Sequence, residues 1–73
     1  MTNKLGPKRV TIPLTKQDVE RLNKIIEING ISQNEAIRRA LATEAFVQEN
    51  LKAGKALLME DPSGVVREVL FLR

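Results

Sequence analysis

Three spacings of apolar residues follow one another along the chain. Between Lys8 and Leu14, Val10, Ile12 and Leu14 alternate with Arg9, Thr11 and Pro13. A period of two puts apolar groups on one face and polar or small groups on the other, and it predicts a short strand. A lone strand leaves backbone N–H and C=O groups unpaired along its edges. No neighbouring segment reads as a hairpin partner for it. The simplest partner is the same segment of a second copy, in a two-stranded ribbon that makes the protein a dimer.

The period then becomes helical. Val19, Leu22, Ile25 and Ile26 fall on one stripe, with Lys16, Glu20, Asn23, Lys24 and Glu27 on the other side. Thr15-Lys16-Gln17-Asp18 has the form of a capping box with Asp as its weaker fourth member, and Asn29-Gly30 is a stop. Ile31 precedes Ser32-Gln33-Asn34-Glu35, a full capping box and the strongest local signal in the chain. The second helix carries Ile37, Ala40, Leu41, Glu44, Ala45 and Gln48 on one stripe, is rich in alanine, and is predicted to reach about Lys52, with Gly54 as its stop.

In the tail, two apolar runs flank Asp61-Pro62-Ser63-Gly64, which suits a type I turn. A β-hairpin is predicted at about 56–72, with helix through Met59 followed by an isolated strand as the alternative. A hairpin alone is marginal, so Val65, Val69, Phe71 and Leu72 are expected to cover the ends of the helices and enlarge the dimer core. The predicted class is therefore mostly α with a short N-terminal strand and a C-terminal β-hairpin. Its parts are a flexible basic arm at 1–7, a strand and two helices at 8–52, and an extension at 53–73.

Composition narrows the chemistry. The chain has 73 residues, no cysteine and no histidine. So short a chain is marginal without staples, and disulfides are not available to it, so oligomerisation is the natural support. Net charge is only +3, but Lys4, Lys8, Arg9 and Lys16 fall within residues 1–16, which hold no acid. A basic leader of this kind is the usual footprint of a phosphate-binding surface. No enzyme is expected: there is no Gly-rich phosphate loop, no nucleophile context and no ligand cluster for a metal. No cofactor is expected. Glu60 and Asp61 beside Pro62 read as turn residues rather than a cation site. The absence of Tyr and Trp argues against stacking on single strands. No apolar run approaches a membrane span, no signal segment is read, and the expected location is cytoplasmic, nucleoid-associated when bound to DNA.

Taken together, Lys8-Arg9-Val10-Thr11-Ile12-Pro13-Leu14, the set Val19, Leu22 and Ile26, the turn Asn29-Gly30, and Ser32-Gln33-Asn34-Glu35-Ala36-Ile37 resemble the ribbon-helix-helix DNA-binding family of the Arc, MetJ and CopG kind over about residues 8–50. The resemblance implies an intertwined homodimer whose intermolecular antiparallel ribbon enters the major groove of double-stranded DNA. It places Val10, Ile12 and Leu14 in the dimer core, with Leu22, Ile26, Ile37 and Leu41. Arg9, Thr11 and Pro13 would then face the bases. Arg9 could take a guanine in bidentate fashion, and Thr11 could bond a base edge or touch a thymine methyl. Pro13 departs from the family pattern: it offers no donor, and it fits as a rigid end or a methyl contact.

Phosphate contacts are expected from Lys4 and Lys8, and from the start of the second helix at Ser32, Gln33 and Asn34. Free amides and a positive dipole end attract an anion there. Arg38 and Arg39 are expected to pair with Glu35 and Glu44 or to lie in solvent. The function this implies is sequence-specific repression of transcription. Its alternatives are an antitoxin with a toxin-binding C-terminal part, a plasmid-maintenance accessory protein, and a dimerisation module without DNA. Higher assembly on tandem sites and a protein partner for the extension are the further partners the pattern allows.

Overall fold

In one chain the order is two helices and then a small antiparallel pair of strands. The computed structural model describes residues 8–71. Helix α1 spans Lys16–Asn29, α2 Gln33–Lys52, strand β1 Leu58–Glu60 and β2 Val66–Glu68. The arm expected at 1–7, with Lys4, and Leu72 of the tail lie outside the described residues.

The expected N-terminal strand is corrected. Residues 8–15 adopt no regular secondary structure, and the only sheet among the described residues is β1–β2. The chain is thus helix, helix and hairpin, not a strand followed by helices. The physical reason lies in the ladder. Alternation fixes which face a strand would show, but a strand exists only where another backbone accepts its hydrogen bonds. No described segment does so for residues 8–14, and Pro13 has no N–H to offer.

Both helices begin where the polar caps lie, but the two caps differ. The Thr15 N–H donates to Asp18 Oδ2 and the Asp18 N–H donates to Thr15 Oγ1, each at 3.1 Å, so α1 has the complete reciprocal box. At α2 the Glu35 N–H donates to Ser32 Oγ at 3.1 Å, while the Glu35 carboxylate accepts from Arg39 instead of turning back. The weaker sequence signal therefore forms the fuller cap. Gly30 ends α1 in the left-handed conformation (φ 60°, ψ 43°), with its N–H on Ile26 O at 2.8 Å.

The two helices pack on each other, and the two strands pair with each other, but neither strand packs on a helix. The hairpin pairs Leu58 with Glu68, Met59 with Arg67 and Glu60 with Val66. Bonds of 2.8 Å from Asp61 N–H to Val65 O and from Val69 N–H to Leu57 O carry the pairing beyond the strand ends. Pro62 occupies the second turn position, and Gly64, at φ 91°, donates to Asp61 O. The predicted hairpin is thus present.

There is almost no core. Among the described residues only Ala36 is fully buried. Leu22, Ile25 and Ile26 are half-buried, while Ile37 and Leu41 are exposed. The accessible surface is 7064 Å², against about 4,500 Å² for a compact monomer of this mass.

Candidate nucleic-acid interface

The segment before α1 is exposed on both of its faces. Val10 and Ile12 keep 65% and 66% of their surface in water, and Leu14 is also exposed. Arg9, Thr11 and Pro13, the expected base readers, are exposed as well. Lys8 and Arg9 have no hydrogen-bond or ion-pair partner among the described residues. Two charged donors without an internal acceptor are free to meet an outside anion, and three apolar groups beside them are free to be covered.

What fixes the exit of this segment is the α1 cap. Thr15 is extended (φ −74°, ψ 168°), and its backbone and hydroxyl are both held by Asp18. These two bonds, the backbone one foremost, hold the Asp18 carboxyl below its usual range, with Arg21 at 3.5 Å adding its charge. Asp18 therefore stays ionised, and Thr15 stays tied to the helix.

The start of α2 gathers the second set. Ser32 is the N-cap, also extended (φ −74°, ψ 164°), and its carbonyl accepts from Ala36 N–H at 2.9 Å. Gln33 and Asn34 are the first two helical residues. Their N–H groups belong to the turn that has no intrahelical acceptor, and both residues are exposed. Ser32, Gln33 and Asn34 are thus brought together as an exposed cluster of donors.

One residue later, Glu35 carries a negative charge, and it is neutralised locally. Arg39 Nε stands 3.0 Å from its carboxylate and Arg38 Nε 3.5 Å. The Arg39 hydrogen bond is the main cause that keeps the Glu35 carboxyl below its usual range. Of the pairings expected for Arg38 and Arg39, the one with Glu35 forms for both. Glu44 accepts from Gln48 at 3.1 Å.

The sequence reading missed a hollow at the far end of α2. Phe46, Val47, Asn50, Leu51, Lys55, Ala56 and Leu57 line a volume of about 210 Å³. Phe46 lies nine positions after Ile37, which is half a turn off the apolar stripe, and it is exposed. That off-stripe position was the available signal. Lys55 is the charged residue of this lining, and its Nζ donates to Asn50 Oδ1 at 3.0 Å. Among the described residues no cluster of acids could hold a metal ion. No described helix is long and apolar enough to cross a membrane.

A family model described as "Ribbon-helix-helix protein, copG family" matches residues 8–45, which takes in the exposed segment, α1 and the first part of α2. No curated protein and no solved structure matches the chain.

Proposed function

The chain belongs to the ribbon-helix-helix, copG family, a family of DNA-binding rather than catalytic proteins, and on that premise we propose that it acts as a dimer that represses transcription by reading a specific duplex sequence. Two copies come together over the apolar groups that one chain leaves exposed, Val10, Ile12, Leu14, Ile37 and Leu41, with the half-buried Leu22 and Ile26. The 8–14 segments of both copies enter the major groove. Arg9 and Thr11 meet base edges, Pro13 touches a methyl or the groove wall, and Lys8, with Lys4, meets phosphate. The amides of Gln33 and Asn34, beside Ser32, bind a second phosphate and fix the register of the protein on the duplex.

The observation that carries this reading is the exposure of Val10, Ile12 and Leu14 on the same seven residues that hold the unpartnered Lys8 and Arg9. One alternating segment offers a face to a second copy and a face to DNA. The surplus of surface over a compact monomer, about 2,500 Å², is of the size that an obligate dimer buries. The folded tail counts against the antitoxin alternative, because a toxin-wrapping tail orders on its partner, whereas residues 57–69 already pair with one another.

Selection of bound duplexes from a random pool tests the proposal. A repeated or palindromic half-site should emerge, with affinity that falls steeply as salt rises, because phosphate contacts release counterions. Recovery of no common sequence, or no binding at low salt, would overturn it.

A further inference from the structure

We propose that the hairpin carries a second self-association site, in which the outer edge of β1 pairs antiparallel with the same edge of another copy. The inference uses residues outside the segment matched by the family, and its test does not require DNA.

The backbone sets the site. Leu57 and Asp61 spend their backbone groups on Val69 and Val65, inside the hairpin. Alternation along an antiparallel ladder then turns the N–H and C=O of Ala56, Leu58 and Glu60 outward. Neither strand packs on a helix, so among the described residues the edge at Leu58 and Glu60 is left open, while Ala56 beside it lines the hollow at the end of α2. Exposed edges of this kind are templates for another strand.

The register names the occupant. Paired about Leu58, two β1 edges set Leu58 against Leu58, Leu57 against Met59, and Ala56 against Glu60. The same register brings Lys55 opposite Asp61, and does so twice by symmetry. No like charges face each other, and opposite cross-strand charges are favourable. Within Val66–Glu68 the β2 edge lacks this self-complementarity: centring on Arg67 or Glu68 opposes like charges, and centring on Val66 runs into the turn at Gly64. Leu58 and Met59 are mostly exposed in the single chain, so their burial is still available to the contact. Each dimer formed through the helices would carry two such hairpins, so the contact joins one dimer to the next.

Sedimentation velocity of the full chain, over a rising concentration series and without DNA, tests the site. The wild type should pass from the mass of two chains to that of four or more. Leu58→Pro removes an outward N–H that the hairpin itself does not use, and edge positions tolerate proline. It should stop at two chains, a mass at least two-fold lower at high concentration. Glu68→Pro inflicts the same change on the opposite edge and should assemble as the wild type does. Circular dichroism on both variants verifies that the helices persist. A wild type that stops at two chains, or two proline variants that behave alike, would overturn the inference and leave the DNA-binding dimer standing. A wild type that stays at one chain would overturn the dimer as well as the inference.

Discussion

Residues 8–14 and residues 57–69 carry similar alternation and meet different ends. Leu57 through Val69 contains its own reversal, because Asp61-Pro62-Ser63-Gly64 brings the second arm back beside the first. Its backbone is therefore satisfied within one chain. Residues 8–14 lead straight into the Thr15 cap, and among the described residues nothing returns to them. The difference teaches that alternation specifies a face, whereas a turn specifies a partner. Where the chain supplies a turn, the strand is already there. Where it supplies none, the apolar face remains an unspent surface beside Lys8 and Arg9, which have no partner among the described residues.

A charge placed on that unspent face should break the comparison most severely. Ile12→Asp costs a monomer almost nothing, since the residue is already in water. In a shared core it buries an unpaired carboxylate and should destabilise the dimer by more than about 3 kcal/mol. Melting followed against chain concentration should show a lower midpoint and loss of its concentration dependence. The matched change in the hairpin, Val66→Asp, should leave the dimer and its melting almost unchanged.

The opposite face sharpens the contrast. Arg9→Ala should leave dimer stability as it is and relax base preference by about 1–3 kcal/mol at one position, as the loss of a bidentate reader does. Titration with the selected duplex and single-base variants measures it. An unchanged preference would remove Arg9 from the reading surface.

Within the hairpin, Gly64→Ala acts on the turn alone. A Cβ there meets no atom within 4 Å, but the φ of +91° strains any L side chain. A loss of about 1–2 kcal/mol is expected, confined to the hairpin. Amide exchange should quicken across residues 57–69 while α1 and α2 keep their protection.

Caps give smaller effects and separate the two helices. Thr15→Ala and Ser32→Ala should each cost about 1 kcal/mol. Thr15→Ala should cost the more, because it disturbs a reciprocal pair of bonds where Ser32→Ala removes one. The acid dependence is smaller still. The carboxyls of Asp18 and Glu35 have pKa values lowered by folding. Their stabilisation is therefore fully present above their unfolded pKa values and is lost as pH falls through the folded ones. A mild loss of helix stability on the acid side is expected, and in Thr15→Ala the part due to Asp18 should shrink.

Much of this was legible in the sequence, for reasons that particular residues make plain. Thr15, Gly30 and Ser32 act through bonds to residues no more than four positions away, so local pattern suffices for the helix limits. The hairpin was legible because Asp61, Pro62 and Gly64 each have a defined place in a turn. The cap at Ser32 was only half legible: Glu35 could turn back or reach forward, and the choice fell to Arg38 and Arg39 on the next turn. The lack of a strand at 8–14 was not legible, because a strand depends on a partner backbone, and among the described residues none is brought to this segment. Of the candidate site, Ser32, Gln33 and Asn34 fall together as expected, while the hollow beside Phe46 lay off the stripe that drew attention.

The most direct measurement is the number of chains on one selected duplex, read by native mass spectrometry. The account predicts even numbers only, two per pair of half-sites, with Ile12→Asp abolishing the complex. A stable complex holding a single chain on the selected sequence would contradict it.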